Sequence, residues 1–155
     1  MRRVRVSAKV DYALRAAIEL AALEDDWPVK GERIASGQGI PLRFMENILG
    51  QLRQSGIVAS RRGAEGGYLL ARPASEIALA DVIRAVDGPL ANIGGLRPDQ
   101  LSYDGSAVPM RDVWVALRSR MRSVLEQVTL ADVAAGELPE QVNEWARDPD
   151  AQVPR

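Results

Sequence analysis

The segment RRGAEGGYLLARP, residues 61–73, places two adjacent arginines at the start of a glycine-rich turn. Guanidinium groups in such a position can bind an anion, because arginine carries a permanent charge and presents several N–H donors in a fixed geometry. The same side chains can equally be solvated groups on a surface hairpin. The charge distribution of the chain and the elements that flank the turn bear on these two interpretations.

Charge is distributed unevenly along the chain. Residues 1–72 contain 12 lysines and arginines against 8 aspartates and glutamates, whereas residues 73–155 contain 8 against 13. A basic first half joined to an acidic second half favours an anionic partner for the first half only. This distribution supports the interpretation of the two arginines as anion-binding groups.

The composition excludes several kinds of chemistry. The chain has no cysteine and no histidine, so disulfides, thiol catalysis, imidazole acid–base catalysis and ordinary zinc sites are ruled out. We find no nucleophile–base pair and no phosphate-binding loop, and we therefore expect no enzyme. Charged residues interrupt the segment after the opening MRRVRV, and no window is apolar enough to span a membrane. We expect a cytoplasmic protein without a membrane partner.

Three short helices are predicted in the first half of the chain. The first covers residues 7–24 with Ser7 as its N-cap, the second covers residues 30–37, and the third begins at Pro41 and ends near Gly56. In the third helix, apolar residues recur at the spacing i, i+3, i+4, i+7, which predicts a core-facing stripe with a polar face opposite. The stripe consists of Met45, Ile48, Leu49 and Leu52.

A hairpin is predicted directly after these helices. The runs IVASRR and YLLARP indicate two strands, and the turn GAEGG joins them. Three short helices followed by a two-stranded hairpin are the element order of a winged helix-turn-helix, a fold that is mainly helical with a small β-hairpin wing. The third helix is then the recognition helix, and the arginines lie in the wing.

The second half is predicted to contain a short helix, a loop and a long helix. We expect a helix over residues 79–87, a loop over 88–108 and a long helix from about Pro109 to Val128, followed by a short helix capped by Thr129 and a frayed tail from Pro139. The apolar stripe of the long helix is wider than a lone surface helix needs, which favours a dimer interface. Its members are Val113, Trp114, Leu117, Met121, Val124, Leu125 and Val128.

Four segments, in order from about residue 5 to residue 135, resemble the Rrf2 family of bacterial winged-helix regulators, the IscR, NsrR and CymR type. They are SAKVDYALRAAIELA, IASGQGIPLRFMENILGQLRQSGIVASRRGAEGGYLLARP, IALADVIRAVDGPL and VWVALRSRMRSVLEQVTLADV. The wing pattern R-G-x-x-G-G-Y-x-L-A-R-P and the later T-L-A-D-V are its most specific parts. The resemblance implies a homodimer in which residues 1–87 bind DNA and residues 109–138 dimerise. From their acidic, proline-rich composition, we expect residues 139–155 to form a flexible tail.

Many members of this family sense iron, nitric oxide or redox state through an iron–sulfur cluster, which three cysteines hold in the loop before the dimer helix. The corresponding loop, residues 88–108, has no cysteine, and such clusters need thiolates. Asp99, Tyr103 and Asp104 offer only hard oxygen ligands, which suit other metals. We therefore expect a cluster-free member without metal or cofactor, whose loop is a plain connection or part of an effector pocket.

The resemblance also indicates which residues contact DNA. Matching positions are Arg43, Glu46 and Asn47 in the recognition helix, Arg61, Arg62 and Gly63 in the wing, and Arg5, Ser7 and Lys9 around the start of the first helix. Glu46 can accept a hydrogen bond from a cytosine amino group, and Arg43 can bind guanine or a phosphate. Arg62 suits a narrow A·T-rich minor groove. The alternative for each is an ordinary solvated side chain.

These observations predict a sequence-specific transcriptional repressor that binds double-stranded DNA as a homodimer on a partly palindromic operator. Since a cluster is not expected, its signal would be a small-molecule or protein effector, and by analogy with cluster-free relatives its pathway would be cysteine or sulfur metabolism. The alternative is a winged-helix module that contacts other proteins and does not bind DNA. Two residues keep alternative roles, Tyr68 as a core residue or a phosphate donor and Trp114 as an interface residue or a stacking partner for an effector.

Overall fold

The computed structural model describes residues 6–23 and 27–154, which form a mainly helical protein with one β-hairpin. The elements are α1 (Ala8–Ala22), α2 (Gly31–Gln38), α3 (Leu42–Gln54), β1 (Val58–Arg61), β2 (Gly67–Leu70), α4 (Leu79–Asp87), α5 (Met110–Leu125), α6 (Leu130–Ala135), α7 (Glu140–Ala146) and α8 (Pro149–Gln152). The prediction of a mainly helical fold with a small β-hairpin wing is confirmed. Within the described residues, no helix is long and apolar enough to cross a membrane.

Helix α1 is the centre of the core. Ser7 caps it as predicted, since its side chain accepts a hydrogen bond from the Val10 N–H at 3.2 Å. Three alanines on its inner face, Ala13, Ala16 and Ala17, are fully buried. Small side chains allow neighbouring helices to approach closely, and α1 accordingly packs against α3, α4 and α6.

Helices α2 and α3 form the predicted helix-turn-helix. Gly39 ends α2 in the left-handed conformation with φ +62°, and the Ile40 N–H donates to the Ala35 carbonyl at 2.9 Å. The core stripe of α3 is confirmed, because its four predicted members are each at most 3% exposed. Burial of this stripe turns the polar residues of α3 toward solvent.

The wing contains one more strand contact than the sequence predicts. Strands β1 and β2 pair antiparallel, from Val58 opposite Leu70 to Arg61 opposite Gly67. On the other side of β2, Val29 and Tyr68 exchange backbone hydrogen bonds of 2.7 and 2.8 Å. Glycine is required at position 67 because a Cβ there would lie 2.4 Å from the Val29 carbonyl oxygen. Tyr68 packs against the core, which favours the core role over the phosphate-donor role.

The chain after α5 returns to the core of the first half. The Leu79 N–H donates to the Val128 carbonyl, and the Leu130 N–H donates to the Ile77 carbonyl, both at 2.9 Å. Thr129 caps α6 as predicted, accepting from the Asp132 N–H at 3.2 Å. Val128 is only 3% exposed within the single chain. Its assignment to the dimer interface is therefore corrected, because this side chain lies in the chain's own core.

The loop and the tail differ in how well the sequence predicts them. Residues 88–108 are irregular as expected, with two three-residue 3₁₀ turns at Pro98–Gln100 and Gly105–Ala107. The tail from Pro139, by contrast, contains the helices α7 and α8, which the sequence analysis did not predict. Asp148 caps α8 by accepting from the Asp150 N–H at 3.0 Å.

Candidate nucleic-acid interface

The exposed side of α3 carries the three predicted DNA-contacting residues of this helix. Arg43, Glu46 and Asn47 are all exposed, opposite the buried stripe. The Asn47 side-chain oxygen accepts a hydrogen bond from the Gln51 amide nitrogen at 3.2 Å, across one helical turn. This bond restricts the orientation of Asn47 without burying it. The structure therefore places these three side chains on one exposed surface of α3, and an α-helix can enter a major groove.

Phe44 is a residue of this surface that the sequence analysis did not single out. It is 49% exposed although it is aromatic, and the Arg43 guanidinium carbon lies 5.5 Å from its ring centroid. This cation–π contact holds the arginine at the amino-terminal end of α3. An exposed ring here can contact a thymine methyl group. The signal was available in the sequence, because Phe44 is an apolar residue outside the i, i+3, i+4, i+7 stripe.

The wing tip presents the other predicted group. Arg61, Arg62 and Gly63 are exposed, and they begin the turn between β1 and β2. Gly63 adopts φ +106°, and a Cβ at Gly66 would lie 2.2 Å from the Arg61 carbonyl oxygen. The glycines are thus explained by the tightness of the turn itself. The arginines have no such structural explanation.

The pairing of arginines distinguishes this part of the molecule from the rest. Eight described arginines form ion pairs with aspartate or glutamate: Arg15, Arg72, Arg84, Arg97, Arg111, Arg118, Arg122 and Arg147. Six form none with any other described residue: Arg33, Arg43, Arg53, Arg61, Arg62 and Arg120. Five of these six lie on α2, α3 and the wing. The arginines of the helix-turn-helix and the wing therefore form no ion pair within the described residues, whereas most of the other described arginines do.

The third predicted group, at the start of α1, is less clearly a DNA-contacting site. Ser7 is exposed but already caps the helix, and Lys9 is half-buried. Arg5 lies outside the described residues. A helix amino terminus next to a basic side chain can hold a phosphate, so the assignment of Ser7 and Lys9 stays a prediction.

Helix α5 has an apolar surface with no cover in the single chain. None of its residues is buried, and Val113 and Leu117 are 52% and 37% exposed. The other predicted interface residues on this helix, Trp114, Met121, Val124 and Leu125, are half-buried. The Trp114 indole N–H donates to the Tyr103 hydroxyl at 2.9 Å, so the ring lies against the loop that precedes α5.

Three comparisons with known proteins agree with this geometry. A family model described as "Rrf2: Iron-dependent Transcriptional regulator" matches residues 6–136. The "Putative HTH-type transcriptional regulator Rv1287" of Mycobacterium tuberculosis is 50% identical over 96% of this chain and 92% of that protein. Among solved structures, CymR, the global cysteine regulator of B. subtilis, superposes with a TM-score of 0.73 at 30% identity. The match covers 86% of this chain and 98% of the CymR chain. IscR of T. potens has a TM-score of 0.68 at 30% identity, and the match covers 98% of this chain and 93% of the IscR chain.

Proposed function

From the premise that the chain belongs to the Rrf2 family and is a DNA-binding transcriptional regulator, we propose that it is a homodimeric repressor. Its operator is a partly palindromic stretch of double-stranded DNA. Residues 1–87 supply the DNA-binding surface and α5 supplies the contact between subunits. Bacterial DNA lies in the cytoplasm, so the proposal also places the protein there.

The observation that carries the proposal is the concentration of unpaired arginines on α2, α3 and the wing. A neighbouring carboxylate cancels much of the electrostatic attraction between a guanidinium and a phosphate, whereas an unpaired guanidinium keeps that attraction. Arg43 and Arg62 are both unpaired and exposed at the two places where a winged helix meets DNA. Exposed Glu32, Glu46 and Glu65 lie on the same elements, but within the described residues none of them forms an ion pair with these arginines.

Different roles follow from the positions of the side chains. Glu46 and Asn47 lie in the middle of the exposed α3 surface, where they can bind base edges and specify sequence. Arg43 is steadied by Phe44 and binds a guanine or a phosphate. Arg62 at the wing tip enters the adjacent minor groove and favours A·T-rich flanks.

The homodimer is supported by the uncovered apolar surface of α5. Exposed apolar patches on a soluble protein mark interaction sites, and a helix that repeats in a second copy forms a self-complementary contact about a twofold axis. In this arrangement the two α3 helices occupy successive major grooves on one side of the DNA. Trp114 and Leu117 lie at the interface, with Val113 beside them.

The residues present do not fit an iron–sulfur cluster, although the family model is described as iron-dependent. The chain has no thiolate. Two of the three oxygen donors of the equivalent loop are also engaged, because Asp99 pairs with Arg97 and Arg118 and the Tyr103 hydroxyl accepts from Trp114. Within the described residues no group of three or more histidine, cysteine, aspartate or glutamate side chains could hold a metal ion. We therefore propose a small-molecule or protein effector, in a cysteine or sulfur pathway by likeness to CymR.

Fluorescence anisotropy of labelled DNA tests the proposal. The DNA comes from upstream of the protein's own gene, with random duplex as the comparison, at three salt concentrations. We expect nanomolar binding to the specific DNA and a slope of log affinity against log salt of roughly −5 to −7, if each subunit neutralises about three to four phosphates. Arg147→Ala, which alters a paired arginine directly after α7, is the control variant and should leave the affinity unchanged.

The alternative function, a protein-interaction module, makes the opposite prediction. It requires weak binding without preference for any DNA sequence and no effect of Arg62→Ala. Binding that is equal for specific and random DNA, with equal losses for Arg62→Ala and Arg147→Ala, would support this alternative and contradict the repressor.

A further inference from the structure

A small cavity of about 300 Å³ lies where α4, the following loop and α5 meet. Its lining residues are Arg84, Gly88, Pro89, Leu90, Arg97 and Arg118. Three of these six are arginines and none is acidic. The apolar part of the wall is formed chiefly by Pro89 and Leu90, and Leu90 is only 4% exposed. Such a wall is basic on one side and apolar on the other.

The acidic neighbours compensate these arginines only in part. Arg97 and Arg118 share a single carboxylate, Asp99, at 2.9 Å each. Arg84 pairs with Glu126, which also accepts from Arg122 at 2.8 Å. Asp99 and Glu126 are thus each shared by two guanidinium groups. The Arg84–Asp81 contact, at 4.0 Å, is weaker and adds little. The cavity therefore keeps an excess of positive charge.

One polar atom in the cavity wall has no partner. The Arg118 Nε is buried and forms no hydrogen bond with any described residue. Buried donors are nearly always satisfied, because an unmade hydrogen bond costs the full desolvation of the group. The Nε has almost no accessible surface in this conformation, so an oxyanion in the cavity would supply the missing acceptor when the Arg118 side chain turns toward it. It would also balance the excess charge.

We propose that this cavity binds a small organic anion. Its carboxylate or phosphate oxygens accept hydrogen bonds from Arg118, including the Nε, and from Arg97, in the bidentate geometry that guanidinium favours. The apolar part of the ligand lies against Pro89 and Leu90. The volume is at the lower end of the range for ligand pockets, which restricts the ligand to a small metabolite.

The position of the cavity makes it suitable for regulation, and this part of the inference rests on the proposed function. The wall residues Pro89 and Leu90 directly follow α4, which packs against α1 and α3, whereas Arg118 belongs to α5, the proposed dimer helix. A ligand that bridges the two fixes the angle between the DNA-binding surface and the subunit interface. It would thereby set the distance between the two α3 helices of the dimer. Such coupling typically changes affinity by about 5- to 150-fold.

Binding is tested first on the protein alone by NMR titration of the ¹⁵N-labelled full chain, with arginine Nε–H resonances as reporters. The probes are inorganic phosphate, acetate and butyrate, each at an ionic strength held constant with sodium chloride. We expect a saturable shift of the Arg118 Nε–H resonance. Phosphate against acetate distinguishes the two anionic groups, and tighter binding of butyrate than acetate would show that the apolar wall takes part.

Matched variants separate a built site from general ion effects. Arg118→Lys keeps the charge but loses the Nε and the fork, and should weaken binding about tenfold, as expected for one lost charged hydrogen bond. Arg120→Gln removes an unpaired arginine of the same helix outside the cavity and should leave binding unchanged. Asp99→Asn should strengthen binding, because it removes the competing carboxylate. Circular dichroism melts confirm that each variant is folded.

Two results would overturn the inference. Shifts of the Arg97 Nε–H and of backbone amides around the cavity, which remain observable in both variants, are compared; shifts that do not saturate, or that are the same in Arg118→Lys and Arg120→Gln, would exclude the site, independently of DNA binding. The DNA anisotropy is then repeated with the site saturated, using the tightest probe. A change of about fivefold or more supports the regulatory role, and an unchanged affinity contradicts that role although the protein still binds DNA.

Discussion

Helices α3 and α5 are similar in length, with 13 and 16 residues, but their relation to the core is opposite. Helix α3 buries four apolar side chains in its own chain and exposes polar ones. Helix α5 buries none and exposes valine and leucine. The apolar repeat that both show in the sequence therefore serves two purposes. One helix is fixed by its own chain with its polar side turned to solvent, and the other keeps an apolar surface uncovered in the single chain, which is the surface we propose for the dimer contact.

The difference extends to how each helix is held. Helix α3 is held by apolar packing against α1 and α4. Helix α5 is tied to its own chain by charged contacts, through Arg118 with Asp99 and through Glu126 at its carboxyl end with Arg84. Exposed ion pairs contribute little to stability. The ion pairs of α5 therefore add little to its stability in the single chain, and we expect the proposed dimer contact to contribute more.

The largest expected effect is on the free energy of unfolding, which a substitution in α3 and one in α5 should lower in different ways. Leu49→Ala in α3 should lower the free energy of unfolding by about 2–5 kcal/mol at any protein concentration, because it leaves a cavity in the core. Leu117→Ala in α5 should destabilise only through the dimer, so its effect should depend on concentration. Urea unfolding at two protein concentrations at least a hundredfold apart measures both. A concentration-independent loss for Leu117→Ala would contradict the comparison.

A charge placed in the α5 surface should break dimerisation without unfolding the chain. Leu117→Glu should give folded monomers in analytical ultracentrifugation, since the side chain is 37% exposed in the single chain. DNA affinity should then fall about a hundredfold or more, because linked binding of two half-sites is lost. Arg120→Gln, on the same helix, changes the net charge by the same −1 and controls for it. A dimer that persists in Leu117→Glu would refute the α5 interface.

A smaller effect concerns the exposed surface of α3. Glu46→Ala should relax base preference at one position in each half-site, where a good contact is worth about 1–3 kcal/mol of discrimination. Binding to the operator and to single-base variants of it, measured by anisotropy, shows the change. Gln54→Ala, farther along the same exposed face, should leave the preference intact. An unchanged base preference in Glu46→Ala would show that Glu46 is a solvated side chain that contacts no base.

The wing should contribute affinity more than sequence choice. Arg62→Ala should weaken binding by about 1 kcal/mol, most at A·T-flanked sites, since it removes one charged contact from each subunit. The salt slope should become less steep by about 1 for each phosphate contact that is lost. An equal loss of affinity for specific and random DNA in Arg62→Ala would contradict the proposed contact of Arg62 with the minor groove.

The smallest effect tests the charged attachment of α5. Hydrogen bonds from Arg122 and Arg84 lower the pKa of Glu126 below its ordinary value of 4.5. A carboxyl whose folded-state pKa is depressed stabilises the fold above its unfolded value, and this contribution disappears as pH falls through the folded value. Glu126→Gln should therefore be slightly less stable than the wild type at neutral pH and equal to it at low pH. Melting temperatures over pH 3–7 would show this, and a difference that persists at the lowest pH would contradict it.

Much of the fold could be predicted because its signals are local. The α3 stripe, the Ser7 and Thr129 caps and the bounds of α4 follow from periodicity and capping, which act over a few residues. The Val29 contact with β2 could not be predicted, since it joins residues 39 positions apart. The burial of Val128 was missed for the same reason, because it continues the α5 stripe in sequence while its neighbours in space come from α4.

The candidate site was predictable in its residue types but not in its electrostatics. Arg43 and Arg62 could be named from their positions in the sequence. Which arginines form ion pairs could not be predicted, because the fold decides which carboxylates lie near them. The same holds for the cavity between α4 and α5. Arg84, Arg97 and Arg118 are far apart in sequence, and no local pattern indicates that they share one wall.

In vitro selection from a library of randomised DNA duplexes tests the central claim most directly, because it needs no knowledge of the operator. The dimer should enrich an inverted repeat whose half-sites lie about 10 base pairs apart, one turn of the double helix. Under the same conditions Leu117→Glu should enrich a single half-site weakly or nothing. Enrichment of an unrepeated sequence by the wild type, or of no sequence at all, would contradict the account of two α3 helices held in register by α5.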